Sequence, residues 1–443
     1  MNIISKTNKN NRQRSQKLLT LTGVAALVLT GGLAIQSADA HWYQWPRLTG
    51  IVYTQSNIPT PNANSILGFR RDALGTLTPL STPSFPTGGA GIPNASIAGK
   101  GPFFITAFAS DQEVIVNPEK TRLFAVNSGS NTIAVFDINR DGSLSPVEGS
   151  PFPSGGVQPV SLGLAGDILT VVNQNLLPQI PTQEASDSLP NYTTFRVTPK
   201  GRLIPIPNST ASVPRGSLPT QALISPNKRL LFGMDAGTGL LRSYQILPNG
   251  RLQQSPNSPQ QLPPAAFPPN PLGLTLGLQV HPRRPILYVA FTLSNQLGVY
   301  SYEPDGDLHL LRTVPNSGRA ICWLVTNRAG TRLYTTNPLD NSVTVYDIGR
   351  DPSTPVEIQR VVLRGEMLTG GAQLALDSTE SFLHVVSQPA INVANNRISV
   401  LKVNRYDGTV TEVPSSPQLI PSVNNSFPQG IVANYNTFAK IRG

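Results

Sequence analysis

Residues 121–144 read TRLFAVNSGSNTIAVFDINRDGSL and contain two short runs of β-branched and aromatic residues. A Ser/Gly/Asn turn separates the runs, and Asp141-Gly142 ends the second one. Apolar runs joined and ended by such turn residues are typical of β-hairpins. The pattern returns at residues 285–308, PILYVAFTLSNQLGVYSYEPDGDL, and at 331–348, TRLYTTNPLDNSVTVYDI; weaker copies begin at Ile51, Asp167, Arg229 and Ser381. The chain therefore repeats one hairpin unit.

Turn residues give the number of units. Six units end in a turn glycine, namely Gly75, Gly142, Gly201, Gly250, Gly306 and Gly408, and a seventh ends in the proline turn at 351–353. The 403 residues after position 40 then give about 58 residues per unit, enough for one four-stranded propeller blade with its loops. With 42 prolines, 37 glycines and 13% charged residues, the composition also favours many turns over long helices.

A short alternating strand precedes each hairpin except the first. These strands are predicted at residues 113–116, 160–164, 221–224, 276–280, 321–325 and 373–376, and a seventh lies near the end of the chain at 430–433. A missing first strand and a surplus last strand are explained if the chain closes into a ring. We therefore predict an all-β, seven-bladed β-propeller of four-stranded antiparallel blades, in which the C-terminal strand completes the first blade. Residues 88–108 and 178–189 interrupt the period and are predicted to be long irregular loops.

The first 40 residues have the pattern of a secretory signal peptide. A basic leader is followed by an apolar run from Leu18 to Ile35 and by Ala38-Asp39-Ala40, an A-x-A cleavage site. An uncleaved membrane anchor is the alternative, but the run is at the short limit for a membrane span. We predict a signal peptide at 1–40 and a single propeller domain at 41–443, exported to the periplasm or the extracellular space and without a membrane span after cleavage.

Composition excludes several classes of partner and cofactor. The net charge of +10 falls to +6 without the first 40 residues and is spread without a basic block, so nucleic-acid binding is not expected. Cys322 is the single cysteine and lies in an apolar run, so we expect a buried thiol and no internal disulfide. The four histidines lack metal-ligand spacing and no loop resembles a calcium site, so no metal and no cofactor is predicted. We expect a monomer.

The LFAVNSGSNTIAVF strands (123–136) and the DGSLSP turn (141–146) resemble the lactonase-type seven-bladed propellers. That family includes 6-phosphogluconolactonases and the muconate-lactonising enzymes of fungi, and the units are also similar to surface-protein propellers with YVTN repeats. The resemblance extends over nearly all of residues 41–443 and implies the same fold. In the family's enzymes a Gly-Pro-Arg-His strand leads to an Asn-Glu pair. In this sequence Thr220-Gln221 stands in place of Arg-His, and Met234-Asp235 in place of Asn-Glu.

The candidate site follows from aligning the seven inner strands. Glu113, Ser161, Gln221, Gly277, Cys322, Gln373 and Gly430 then fall at one level, at one mouth of the central channel. We take Glu113, Asp235 and Arg319 as catalytic candidates, with Arg319 as an anchor for an anion. Thr220, Gln221 and Gln373 are the ligand-binding candidates. Alternatively, these polar side chains only hydrate a water-filled channel.

Two functions remain open. The first is a binding module that presents the channel mouth to a small ligand, glycan or protein, which fits the export signal and the absent Arg-His motif. The second is a lactone hydrolase acting on a sugar-acid or aromatic lactone, since lactone opening needs a base and an oxyanion donor. A purely structural role would need no site.

Overall fold

The computed structural model describes residues 50–92, 110–175, 188–266, 275–365, 371–387, 396–420 and 426–435. Within these ranges the chain forms 32 β-strands and one turn of 3-10 helix at Thr292–Ser294. The strands make seven antiparallel sheets, each with four strands in its main path. The predicted all-β, seven-bladed β-propeller is therefore confirmed, while the predicted cleavage after residue 40 lies outside the described residues and stays a prediction.

In blades one to four the strands follow one another from the inner edge of the blade outward. Blade one contains β32 (Gln429–Tyr435), β1 (Gly50–Gln55), β2 (Ser65–Arg71) and β3 (Leu77–Pro86). Blade two contains β4 (Val114–Val116), β5 (Arg122–Asn127), β6 (Thr132–Ile138), β7 (Leu144–Pro146) and β8 (Phe152–Pro153). Blade three contains β9 (Pro159–Ala165), β10 (Ile168–Asn173), β11 (Asn191–Val197), β12 (Leu203–Pro205) and β13 (Ala211–Ser212). Blade four contains β14 (Leu223–Ile224), β15 (Leu230–Asp235), β16 (Leu240–Ile246), β17 (Leu252–Gln254) and β18 (Gln260–Gln261).

Blades five to seven follow the same order. Blade five contains β19 (Leu278–Val280), β20 (Ile286–Phe291), β21 (Gln296–Tyr302) and β22 (Leu308–Pro315). Blade six contains β23 (Leu324–Thr326), β24 (Arg332–Asn337), β25 (Ser342–Asp347) and β26 (Val356–Val362). Blade seven contains β27 (Gly371–Leu376), β28 (Phe382–Ser387), β29 (Arg397–Val403), β30 (Val410–Glu412) and β31 (Gln418–Leu419). In blades two, three, four and seven, two short strands share the outer position and pair with the same neighbour.

The hairpin of residues 121–144 shows how the sequence forms a blade. On β5, Leu123 and Ala125 pack into a cluster with Ile51 of blade one. Phe124, which points to the other side of the same strand, packs into a cluster with Leu169 of blade three. Because successive side chains of a strand alternate between faces, both faces of the blade are buried against neighbours. The repeated runs are therefore apolar on both faces.

The turn glycine of this unit is needed for contact as well as for backbone shape. Gly142 has a φ of +87°, which favours glycine, and a Cβ there would lie 2.9 Å from the side chain of Ile51. Its carbonyl oxygen accepts a hydrogen bond of 2.7 Å from the Tyr53 hydroxyl of blade one. The turn therefore fastens blade two to blade one.

The ring closes as predicted, with the last strand of the chain completing the first blade. The last strand, β32, pairs antiparallel with β1, with Tyr53 opposite Val432. The Thr54 hydroxyl donates a 2.7 Å hydrogen bond to the carbonyl oxygen of Gly430. A buried ion pair adds a contact between the first and last blades, since Arg71 Nη2 lies 2.9 Å from Asp377 Oδ2. The ring is thus closed by backbone hydrogen bonds between β32 and β1 and by a buried ion pair between the first and last blades.

Two further predictions concern single features. Cys322 is buried and free, as expected. Most of the two predicted long loops lies outside the described residues. The described start of the first, Gly88 to Ile92, contains no strand, and Ile92 is buried in a core cluster. Among the described residues no helix has the length and apolar character needed to cross a membrane.

Candidate functional site

The seven inner strands surround a channel at the axis of the ring, which contains a cavity of about 410 Å³. Asp111 and Gln112 line it just before β4, and Pro118 lines it just after β4, so the cavity extends along that whole strand. Its other lining residues are Val114, Ile115, Val116, Leu164, Gln221, Leu223, Ile224, Gln279, Leu324, Val325, Leu374, Ile431 and Val432. Twelve of the sixteen lining residues are apolar; of the four polar ones, Asp111, Gln112 and Gln221 lie together at one end, the polar end of the channel, and Gln279 lies on β19.

A segment of blade two, Ser110–Glu113, crosses this polar end of the channel. The Ser110 hydroxyl lies 2.6 Å from the carbonyl oxygen of Val160 in blade three and 2.7 Å from that of Thr220, just before blade four. The carbonyl oxygen of Ser110 accepts a 2.8 Å hydrogen bond from the side-chain amide of Gln373 in blade seven. Three other blades therefore hold this segment, and they fix the side chains that it carries.

Glu113 and Gln373 form a buried pair outside the cavity wall. Gln373 Nε2 donates a 2.8 Å hydrogen bond to Glu113 Oε1, and both side chains are almost fully buried. Burial, helped by the nearby charge of Asp111, raises the pKa of Glu113 well above its usual range, while the Gln373 hydrogen bond acts in the opposite direction. Burial therefore favours the protonated form of Glu113, and its hydrogen bond with Gln373 joins blades two and seven.

Asp111 is placed differently from Glu113, because Asp111 is one of the residues that line the cavity and Glu113 is not. Asp111 Oδ1 accepts a 2.8 Å hydrogen bond from the backbone N–H of Gln112. Burial nevertheless raises the pKa of Asp111 to about 7. Burial also raises the pKa of the Cys322 thiol of blade six, with a smaller effect from the charge of Asp111. The cavity thus has at its polar end a carboxyl group that changes charge near neutral pH.

Two glutamine amides lie beside Asp111. Gln221 Nε2 lies 3.1 Å from Gln112 Oε1 and 3.1 Å from the carbonyl oxygen of Leu278, and Gln221 Oε1 accepts a 2.8 Å hydrogen bond from the Leu278 N–H. Gln221 therefore bridges blades four and five and orients Gln112. Gln112 also lines the cavity, and its side-chain oxygen accepts the hydrogen bond from Gln221.

Asp235, the second predicted carboxylate, is bound within the wall of blade four. Its Oδ1 accepts hydrogen bonds from backbone N–H groups, including that of Leu218 at 2.8 Å, and its Oδ2 pairs with Arg242 Nη2 at 3.3 Å. It is the last residue of its strand, a position taken by asparagine in three other blades: Asn127, Asn173 and Asn337. The structure therefore gives Asp235 a capping contact, and does not pair it with Glu113.

The remaining predicted residues also have separate surroundings. Arg319 is exposed, and its carbonyl oxygen accepts a hydrogen bond from the Leu339 N–H. Thr220 is buried, and its hydroxyl lies 3.3 Å from the carbonyl oxygen of Met234. Glu113 and Gln373 are thus brought together, and Gln221 joins the polar end of the cavity. Asp235 and Arg319 share no contact with them, and the catalytic roles assigned from the sequence stay predictions.

Of the three described histidines, His309 is exposed beside Asp307, and the other two have structural surroundings. His281 Nε2 lies 3.0 Å from the carbonyl oxygen of Gly330, and its Nδ1 accepts the backbone N–H of Arg283 and of Arg284. His384 is fully buried in β28. Over the described ranges, no group of three or more His, Cys, Asp or Glu side chains is arranged to hold a metal ion.

Blade count, strand order and ring closure define the class of the protein as a seven-bladed β-propeller. The model of the family described as Lactonase, 7-bladed beta-propeller matches residues 212–423. This match agrees, over that part of the chain, with the resemblance to lactonase-type propellers seen in the repeat units. No curated protein sequence matches the chain.

Solved structures show the same fold at low sequence identity. A proposed 6-phosphogluconolactonase from Bacteroides uniformis ATCC 8492 superposes with a TM-score of 0.61 at 14% identity, covering 88% of this chain and 100% of the other. The periplasmic gluconolactonase of Pseudomonas aeruginosa gives a TM-score of 0.58 at 17% identity, covering 85% and 100%. A hypothetical selenium-binding protein from Sulfolobus tokodaii gives 0.57 at 11% identity, covering 88% and 94%. Because lactonases and other proteins share this scaffold, function must be argued from the site.

Sequence reasoning missed Asp111 and Gln112 as site residues. The predicted strand began at Glu113, which placed both residues in the loop before it. One signal was available, since Asp111-Gln112-Glu113 puts two acids two positions apart at the start of an inner strand. The backbone decides which of them reaches the cavity, because Gln112 has a φ of +66° and interrupts the alternation of the strand.

Proposed function

We propose that the protein is a lactone hydrolase that works in its central channel, with Asp111 as the general base. The observation that supports this most directly is the position of Asp111 in the lining of the cavity, together with a pKa raised by burial to about 7. A general base is most effective when its pKa lies near the working pH. The match to the lactonase family model supports the same reaction class.

The chemistry can be written with the residues at the polar end. The Asp111 carboxylate takes one proton from a water molecule, and the water oxygen forms a bond to the lactone carbonyl carbon. The side-chain amide of Gln112 donates to the oxygen that becomes negatively charged. The ring C–O bond then breaks, and the leaving alkoxide takes the proton back from Asp111. The product is a hydroxy acid, which ionises at neutral pH and releases one proton.

Proton release from the full chain measures this reaction. Glucono-δ-lactone, 6-phosphoglucono-δ-lactone, γ-butyrolactone and dihydrocoumarin are assayed with a pH indicator. We expect kcat/KM for an accepted lactone to rise with pH and level off above about 7, as Asp111 loses its proton. The titratable groups that interact with Asp111 are Glu113 and the Cys322 thiol, and burial raises the pKa of both. Asp111→Asn should lower kcat/KM by about 100-fold or more.

Two variants serve as controls for this assignment. Asp167→Asn changes an exposed carboxylate paired with Arg196 and should leave kcat/KM unchanged. Glu113→Gln keeps the shape of the side chain and tests the alternative catalytic acid. Full activity of Asp111→Asn, or a loss of activity only in Glu113→Gln, would contradict the role of Asp111.

A second candidate function is ligand binding without turnover. It is favoured by the aliphatic wall of the cavity and by the use of Gln221 and Gln373 in contacts between blades. A small ligand would then occupy the same channel. Saturable binding of a lactam in calorimetry, with no proton release from any lactone, would favour binding over hydrolysis.

Export and oligomeric state belong to the same proposal. The basic leader, apolar run and Ala38-Asp39-Ala40 support secretion, and one protein of the same fold is a periplasmic gluconolactonase. N-terminal sequencing of the protein from the periplasmic or extracellular fraction should begin at His41. Light scattering should give the mass of a monomer. A protein retained in the membrane with an intact leader would contradict export.

A further inference from the structure

We infer that the substrate of the channel is an uncharged lactone with an apolar ring substituent, rather than a phosphorylated sugar lactone. This inference rests on the proposed function for its reaction, but it concerns the ligand class that the channel accepts. Three features of the structure support it: the side chains of the wall, the charge at the polar end, and the volume of the cavity.

The wall below the polar end offers aliphatic surface to a ligand. Ile115, Leu164, Ile224, Val325 and Val432 come from five different inner strands, and each is only partly buried by the protein itself. A ligand in the channel would cover the rest of this surface. Against these five side chains, sugar hydroxyl groups would lose hydrogen bonds to water without gaining others, whereas methylene groups would lose nothing. The amide of Gln279, which also lines the cavity, donates a hydrogen bond to Thr326. The wall thus favours an alkyl or other apolar substituent.

The polar end disfavours an anionic ligand. The Asp111 carboxyl group has a pKa of about 7, and the pKa of Glu113, two residues away, is raised by burial and by the charge of Asp111. A phosphate dianion in the same cavity would meet that negative charge in surroundings of low polarity, where like charges repel strongly. Among the cavity-lining residues that the structure describes, none is lysine, arginine or histidine. An uncharged lactone avoids this repulsion, and its ionised product is repelled once the ring has opened.

The size of the cavity fits one small molecule. A volume of about 410 Å³ lies within the range of ligand pockets, roughly 300–1,000 Å³. A lactone ring held at Asp111 therefore leaves room along β4 for a substituent that points toward Pro118. Each methylene group that enters should add a nearly constant increment of binding.

Chain length is accordingly the variable to test. The full chain is assayed by proton release with γ-butyrolactone, γ-hexalactone and γ-octalactone, and with glucono-δ-lactone and its 6-phosphate. We expect kcat/KM to rise about fourfold for each added methylene group, and the 6-phosphate to be the poorest substrate. The δ-lactam and γ-lactam analogues of the same chain lengths, which resist hydrolysis, are titrated by calorimetry and should show the same trend in Kd.

A matched pair of variants locates the effect in the channel. Val325→Thr replaces a wall methyl group by a hydroxyl of the same shape, and should lower the preference for γ-octalactone over γ-butyrolactone by about fivefold. Val356→Thr makes the same change on the outer strand β26, where Val356 is exposed, and should leave the preference unaltered.

The outcomes separate this inference from the proposed function. Hydrolysis of the 6-phosphate with a kcat/KM above that of the alkyl lactones would overturn the ligand class while the lactonase function stands. Chain-length-dependent binding of lactams without turnover of any lactone would refute the function and support the ligand class. No dependence on chain length in either measurement, or equal effects of Val325→Thr and Val356→Thr, would overturn the inference.

Discussion

The ion pair that joins the last blade to the first makes the sharpest prediction about stability. Asp377 follows β27, and its Oδ2 lies 2.9 Å from Arg71 Nη2, with side-chain exposures of 1% and 2%. Arg71 can reach it because Gly50, opposite Arg71 in the sheet, has no side chain: a Cβ there would lie 3.0 Å from Arg71 Nη2. Asp377→Asn removes the negative charge and leaves the buried guanidinium in place.

The loss in the free energy of unfolding can be estimated because asparagine would keep the hydrogen bond that Asp377 makes in its turn. Asp377 Oδ1 also accepts the backbone N–H of Ser381 at 2.9 Å, which shapes the turn after the inner strand. Asn117 and Asn327 occupy the corresponding turns of blades two and six, where their Oδ1 atoms accept the N–H of the residue four positions later. Asparagine at 377 therefore preserves the turn, and the loss is that of the charge alone. Removing one partner of a buried pair costs about 3–5 kcal/mol.

Urea unfolding at pH 7 gives the free energy for each variant. Asp167→Asn, which breaks the exposed pair with Arg196, should cost less than about 1 kcal/mol. The double variant Arg71→Met with Asp377→Asn should recover most of the loss, because neither charge remains buried. If Asp377→Asn costs no more than Asp167→Asn, or if the two single losses add in the double variant, the ion pair does not hold the closure.

Three further predictions test single groups. Burial lowers the pKa of His384 to about 4; the charge of Arg71 acts in the same direction and that of Asp377 in the opposite one. The folded protein therefore loses stability as the pH falls from 6.5 toward 4. In urea unfolding at pH 7 and pH 4.5, His384→Leu should remove about 2–3 kcal/mol of that loss. Because burial raises the pKa of Asp111 to about 7, the folded protein loses stability as the pH rises from about 4 through 7. Asp111→Asn should therefore raise Tm at pH 8 and leave it unchanged at pH 4. The corresponding gain in the free energy of unfolding at pH 8 is up to about 4 kcal/mol. Gly430→Ala places a Cβ 2.9 Å from the Val114 nitrogen at a φ of +64° and should lower the unfolding free energy by more than about 1 kcal/mol. Gly166→Ala, at a φ of +68° with nothing within 4 Å, is its control, and an equal loss would assign the effect to the backbone alone.

The fold could be predicted because its determinants are local and repeated. Each hairpin is recognisable from its apolar runs and its turn residue. The strand missing before the first hairpin and the extra strand at the end of the chain predict that the ring closes. The observed innermost strand of blade one, β32, includes the predicted segment 430–433. Because these patterns involve residues close together along the chain, they can be recognised in a single sequence.

The site could be predicted only in part, because it depends on one backbone conformation and on contacts across the ring. Gln373 and Glu113 lie at one level, as their alignment indicated, and they form a hydrogen bond. The alignment could not show that Gln112 has a left-handed conformation, which turns Asp111 rather than Glu113 into the cavity. Contacts between residues 260 positions apart leave no local pattern.

Asp235 illustrates a signal that the repeat itself contained. It ends the second strand of blade four, where blades two, three and six have asparagine. Comparison with those blades indicates a capping side chain, whereas comparison with the lactonase motif indicates a catalytic one. The backbone hydrogen bonds of Asp235 and its pair with Arg242 agree with the first interpretation.

The Asp111 carboxyl group lowers the stability of the fold at neutral pH. Burial disfavours its charged form, so at neutral pH the carboxylate weakens the fold. Ser110, next to it, is held by Val160, Thr220 and Gln373 from three other blades, and these contacts keep the acid in the cavity against that cost. A group that served only to fill the channel would be more stable as asparagine or leucine. A carboxyl group held there with a pKa near neutrality suits the proton transfer that we propose, and that proposal predicts opposite effects of Asp111→Asn on stability and on turnover.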